Sequence, residues 1–337
     1  MAITEAPAPG PAHPRDGAPA GWGLALGGGG SVGLAYVSGV LSAFADAGVD
    51  LASAGLVVGT SAGAIGAAAL RKGAAPADLV HIADAEPDAA AAAAGRAPRH
   101  FERAWTDGVD LCHRVVGSSA VVARSMFKLP LPMPAAVQAY FPGGLFRPRG
   151  DGMRRLLGDD WPDAPLWVVA VDLRTRRRVA LGRSPGDHDF PLHRAVMASC
   201  AVPGLYEPVR LGDRRFVDGG VNSTTSIDMA VRHGCSRVVA VVPLGYEATG
   251  RPSTRQRVLR RPAVRGVRRE LRRAGDRARD VLVVQPLLED LELYGTNFLR
   301  GHDNSRVAER ARDRTHDLVG RPEVAEFIAA LGEPAER

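Results

Sequence analysis

A serine with glycines two positions before and after it, Gly59-Thr60-Ser61-Ala62-Gly63, follows the hydrophobic run Leu56-Val57-Val58 and precedes the small-residue stretch Ala64 to Leu70. Strand, tight turn and helix in that order are the setting of a nucleophile elbow. The bend forces unusual backbone angles on the serine and lifts its hydroxyl clear of the sheet, while the glycines remove side chains that would meet the neighbouring elements. Such a hydroxyl needs a base. It also needs donors for the negative charge that develops on the attacked carbonyl oxygen.

A source of donors lies upstream in Gly28-Gly29-Gly30-Ser31-Val32-Gly33, directly after the short apolar run Gly23 to Leu26. With the two strands as neighbours, this turn lies beside Ser61 at the same carboxyl edge of the sheet. The N–H groups of Gly29 and Gly30, with that of Ala62, then face a common oxyanion, and the helix starting near Gly33 adds its positive end. The same glycines read as Gly28-x-Gly30-x-x-Gly33, the dinucleotide fingerprint, with Asp50 about twenty residues further on. A ribose-binding acid belongs after the second strand, whereas Asp50 precedes it. A nucleotide-dependent oxidoreductase is therefore the alternative reading.

For the base, Phe216-Val217-Asp218-Gly219-Gly220 places a carboxylate at a strand end, with two glycines opening space around it. An aspartate beside a serine can take its proton directly, most effectively when burial raises its pKa. A turn aspartate before glycines is the plainer reading of the same residues. His188, His193, His233 and His302 all follow Ser61, as a Ser-Asp-His order requires, but none has a distinctive setting.

Taken together, Leu24 to Ala35, Gly59 to Gly63 and Asp218-Gly219-Gly220 resemble the bacterial patatin-like phospholipases, which are Ser-Asp acyl hydrolases. Ala170-Val171-Asp172-Leu173, Ala198-Ser199-Cys200-Ala201-Val202-Pro203-Gly204 and Val221-Asn222 extend the resemblance over about residues 22 to 245. It implies an α/β fold of three layers, α/β/α, with a mostly parallel central sheet. It also implies Ser61 as nucleophile in an elbow framed by Gly59 and Gly63, Asp218 as base without a histidine, and an oxyanion hole built from Gly28, Gly29, Gly30, Gly33 and Ala62. The substrate class is a lipid acyl ester, with no metal and no cofactor. Asp172 and Asn222 fall near the site by the same resemblance and are read as structural. Val32 stands where the family's turn usually carries Arg or Lys, so a catalytically silent lipid-binding protein is a further alternative.

Two β-turn-α units in succession predict a parallel sheet. Further strands are expected at Trp167 to Val171, Arg178 to Leu181, Phe216 to Val217, Val238 to Val242 and Val281 to Val284. Residues 74 to 150, with an alanine tract and Pro-punctuated apolar runs, read as an insertion that walls a pocket. Residues 246 to 337 read as a basic linker followed by a strand and helices that pack on the catalytic domain. Residues 1 to 21, rich in Pro, Ala and Gly, read as a disordered tail without the pattern of a secretory signal.

The chain has 337 residues, 45% of them hydrophobic and 24% charged, which excludes disordered and fibrous classes. Three scattered cysteines predict neither a disulfide framework nor a zinc site, and fit a reducing, cytoplasmic setting. Trp22 to Leu41 is apolar but carries seven glycines, so no membrane span is predicted. The net charge of +6 is concentrated: residues 251 to 280 hold twelve arginines against Glu270, Asp276 and Asp280, a local +9. Arg251 to Arg279 fits peripheral docking on an anionic membrane, and equally a solvated helix face. Without interleaved aromatics or a recognisable module, no nucleic-acid partner is expected.

Overall fold

The computed structural model describes residues 21–84, 150–203, 206–247, 252–275, 280–298 and 303–332. The tail expected before Trp22 and most of the expected insertion lie outside the described residues. The first unit is β1 (Gly23–Leu26) followed by α1 (Gly30–Asp46), and the second is β2 (Leu56–Thr60) followed by α2 (Ala62–Arg71). Both helices begin earlier than hydrophobic periodicity alone implies. Glycine and alanine at their first turns carry no apolar signal, yet place no obstacle to helical geometry. After α3 (Gly150–Leu157) come β3 (Leu166–Asp172), β4 (Arg178–Leu181), α4 (Leu192–Ser199) and the hairpin β5 (Val209–Leu211) with β6 (Arg214–Asp218). Then follow α5 (Ile227–His233), β7 (Val238–Val241), α6 (Thr254–Ala274), β8 (Val281–Val284), α7 (Leu291–Tyr294), α8 (Asn304–Val319) and α9 (Pro322–Ala329).

One sheet runs in the order β5-β6-β3-β2-β1-β7-β8, with β4 also paired to β3. The pairs β1–β2, β1–β7, β2–β3 and β7–β8 are parallel, while β3–β4, β3–β6 and β5–β6 are antiparallel. The strands are apolar on both faces, as a sheet covered on both sides requires. Alternate residues divide between two cores. Leu24, Leu26, Val57, Val168, Ala170, Val239 and Val241 pack with α1, α2, α4 and α8, while Ala25, Leu56, Val58, Val169, Val238 and Ala240 pack with α5 and Val267 of α6. The result is the expected three-layer α/β/α arrangement.

The outer layer explains why α1 is apolar all round. Its face away from the sheet is covered by α8, so closely that a methyl at Gly39 would collide with the Ala308 carbonyl. Residues beyond 245 therefore complete the fold: β8 extends the sheet past β7, and α8 closes over α1. Among the described residues, no helix is long and apolar enough to cross a membrane.

Candidate active site

Leu26 pairs with Gly59 across β1 and β2, so the turns leaving these strands emerge side by side. Ser61 is the single residue between β2 and α2, at φ 55 and ψ −126, backbone angles that cost a non-glycine residue on the order of 1–3 kcal/mol. The surroundings enforce them. A Cβ at Gly63 would run into the Leu26 carbonyl, and one at Gly59 would meet Ala64 and the Gly63 carbonyl, so this tight junction of strand and helix excludes side chains at both positions. The Ser61 N–H donates to Ser199 Oγ at 2.9 Å, and that hydroxyl donates to the Val169 carbonyl at 2.6 Å. Ser199 is fully buried at the end of α4. It was legible only as part of the Ala198-to-Gly204 motif, and its role as the anchor of the bend comes from the structure.

Asp218 arrives from the opposite strand direction. Thr60 pairs with Val169 and Asp218 with Ala170, so the carboxylate stands level with Ser61 across the single intervening strand β3. The Ser61 hydroxyl is near enough to the Asp218 carboxyl group to lower its pKa, and the Gly220 N–H donates to its Oδ1 at 2.6 Å. Gly219 lies against β3, where a side chain would strike the Val169 carbonyl. Asp218 is only 4% exposed. Burial raises its pKa from 3.8 to about 6, against the opposing pull of Ser61 and of the Gly220 hydrogen bond. It is thus ionised at neutral pH yet far more basic than an exposed carboxylate.

The glycine turn divides its labour. The Gly28 N–H donates to the Thr224 carbonyl at 2.8 Å and the Gly33 N–H to the Gly29 carbonyl at 2.9 Å, so these two expected oxyanion residues are not donors to a substrate. Gly28 instead supplies room: a Cβ there would stand 3.1 Å from Ser61 Cβ. Gly29 caps α1, Gly30 opens it and Ala62 opens α2. Their N–H groups belong to helix first turns, which have no intrahelical acceptor. Two helix N-termini therefore converge at Ser61, both favouring negative charge. Val32 is buried, with its N–H directed to the Phe298 carbonyl at 3.4 Å.

The other candidates are occupied elsewhere. His188 stacks on Trp161, His193 lies 3.0 Å from Asp159 and His233 meets Trp167 edge-on, while His302 is outside the described residues. Asp172, fully buried, accepts from the Arg174 N–H and from Arg214. Asn222 ends the short turn after Asp218. Asp50, the acid weighed for a ribose, caps its own turn through the Ala52 N–H.

Residues 24–231 match the family described as patatin-like phospholipase. The chain belongs to that family. Over 139 residues this patatin-like protein is 31% identical to "Uncharacterized protein YqhO" of Bacillus subtilis (strain 168), covering 35% of this chain and 46% of that one. It thus spans less than half the length of that relative. Among solved structures, it is similar to the type III effector ExoU, of Pseudomonas aeruginosa, with 14% identity, TM-score 0.39, and 92% of this chain against 54% of that one. It is also similar to VipD from Legionella pneumophila, with 14% identity, TM-score 0.42, and 89% of this chain against 67% of that one. The patatin-like match stops at residue 231, so β7, β8 and α6 to α9 stand outside it.

Proposed function

We propose that this protein hydrolyses carboxylic esters of lipids through Ser61 and Asp218. The observation that carries the reading is the placement of the strained Ser61 level with the buried Asp218 carboxylate, its pKa raised by burial to about 6 against the pull of the serine, at a point where two helix N-termini converge. Asp218 takes the hydroxyl proton as Ser61 Oγ attacks the ester carbonyl. The N–H groups of Gly29, Gly30 and Ala62 receive the oxygen that becomes negative. As the tetrahedral intermediate collapses, Asp218 returns the proton to the leaving alcohol, leaving the acyl group on Ser61. Water then attacks the acyl-enzyme, gives its proton to Asp218, and the fatty acid departs as Ser61 recovers its hydrogen. Each proton moves between oxygens, so the cycle needs no redox partner. Among the described residues, His188, His193 and His233 are engaged with Trp161, Asp159 and Trp167, which favours this reading over a Ser-His-Asp scheme.

Turnover of p-nitrophenyl acyl esters and release of fatty acid from phospholipid vesicles test it. Ser61→Ala and Asp218→Asn should each lower kcat by at least about 10²–10⁴-fold with the fold retained. Either variant keeping wild-type turnover overturns the proposal.

The lipid surface is met, in this reading, by α6. Its outward face exposes Arg255, Arg257, Arg261, Arg265, Arg268 and Arg272. Arg260 is excluded from that face: it is buried, bonded to the Pro243 and Gly245 carbonyls and stacked on Phe298. Exposed arginines near an anionic surface are worth about 1 kcal/mol each. Sedimentation with anionic vesicles should therefore weaken in high salt and on replacing these arginines. Binding indifferent to both overturns the docking assignment.

A further inference from the structure

The same helix carries a single acid within its basic run, Glu270, and it points inward. Along α6 the buried positions Gln256, Arg260, Ala263, Val267 and Glu270 recur every three or four residues, forming one stripe against the domain. Glu270 is 4% exposed, and its carboxylate is saturated. One oxygen accepts from Ser223 Oγ and, at 3.1 Å, from Arg178. The other accepts from Thr225 Oγ1 at 2.6 Å and from the Ile227 N–H at 2.9 Å. Arg178 Nη2 also donates to the buried Asp228, 2.6 Å from both carboxylate oxygens.

The segment that Glu270 grips, residues 223–227, is the continuation of the turn that starts at Asp218. It also touches the two other parts of the site. The Thr224 carbonyl accepts the Gly28 N–H, at the edge of the glycine turn. Ser226, held in a left-handed conformation at φ 56, hydrogen-bonds Thr60 at 3.0 Å, and Thr60 directly precedes Ser61. Base, oxyanion turn and nucleophile thus share one loop, and that loop's own polar groups converge on one carboxylate. A buried carboxylate is costly to maintain unless every lone pair is used, and here four donors use it.

We propose that Glu270, from outside the family-matched region, is a positioning residue that fixes the 223–227 loop and so sets the register of Ser61, Asp218 and the glycine turn. The inference rests on the ester hydrolase reading above. An amide in place of the carboxylate turns one accepting oxygen into a donor facing donors. Glu270→Gln must therefore lose either the Arg178 or the Ile227 N–H hydrogen bond, because neither donor can turn round to accept from the amide.

The test is steady-state hydrolysis of a soluble short-chain p-nitrophenyl ester by the full chain, across pH 4.5 to 8. Glu270→Gln should lower kcat by roughly 10- to 100-fold, the scale of displacing a catalytic group by a fraction of an ångström to an ångström, with KM nearly unchanged. The acid limb of the kcat profile should move to lower pH, because a loosened loop admits water to Asp218. Thr225→Val, which removes one contact and keeps the charge, is the second variant, covering a Glu270→Gln protein that does not fold. It should show a smaller fall in kcat of the same kind. A folded Glu270→Gln or, failing that, Thr225→Val protein with wild-type kcat and an unmoved acid limb overturns the inference. Wild-type protein inactive on every ester would instead overturn the underlying reading.

Discussion

Asp218→Asn is expected to destroy turnover and, at neutral pH, to stabilise the protein. Burial lifts the Asp218 pKa from 3.8 to about 6, so the fold favours the protonated acid relative to the unfolded chain. Between those values the native state binds more protons than the unfolded one, and stability falls as pH rises from about 4 to about 6. Above pH 6 the loss is complete. At 1.36 kcal/mol per pKa unit, a displacement of about two units amounts to roughly 3 kcal/mol. Asparagine has nearly the same shape, keeps an oxygen for the Gly220 N–H and carries no charge at any pH. The variant should therefore gain roughly 2–3 kcal/mol at pH 7.5 and only a few tenths at pH 3.5, where the wild-type carboxyl is mostly protonated in both states. In Tm this is about 3–4 °C for a chain of this size. Denaturation of both proteins at the two pH values reads it directly. A variant no more stable than wild type at pH 7.5, or a gain of equal size at pH 3.5, refutes the claim that Asp218 is a desolvated carboxylate.

The same pKa predicts that ester hydrolysis falls with unit slope below about pH 6 and is level above it, because only the carboxylate accepts the Ser61 proton; a pH–rate profile checks this. Ser199→Ala leaves the Ser61 N–H and the Val169 carbonyl without their partner, so denaturant titration should show a loss of about 1–3 kcal/mol, accompanied by a lower kcat. Substituting His188, His193 or His233 by alanine should each cost less than about tenfold in kcat, since loss of a true general base costs 10²–10⁴-fold.

The parts of the site written as backbone constraints were readable from sequence. Gly59, Gly63 and Gly219 are glycines because a side chain there would strike a neighbouring strand or turn, and such positions announce themselves as residue types. Paired apolar runs likewise gave β1, β2 and β8. Less visible was anything set by pairing across the fold. β5 is a three-residue edge strand with one exposed arginine, too short and too polar to stand out, and nothing local indicates that β6 runs against β3. The expected oxyanion hole took in Gly28 along with Gly29, Gly30, Gly33 and Ala62, whereas Thr224, nearly two hundred residues away, takes the Gly28 N–H. Glu270 and Arg260 hid in a helix whose composition signals a solvated face, because charge counts carry no information about which side of a helix a residue occupies.

The central claim is that Ser61 is a nucleophile activated by Asp218. Incubation with a fluorophosphonate, followed by proteolysis and mass mapping, tests it most directly. One adduct is expected, on the peptide bearing Ser61, absent from Ser61→Ala and forming far more slowly in Asp218→Asn. An adduct on a different residue, or undiminished labelling of Asp218→Asn, would contradict it.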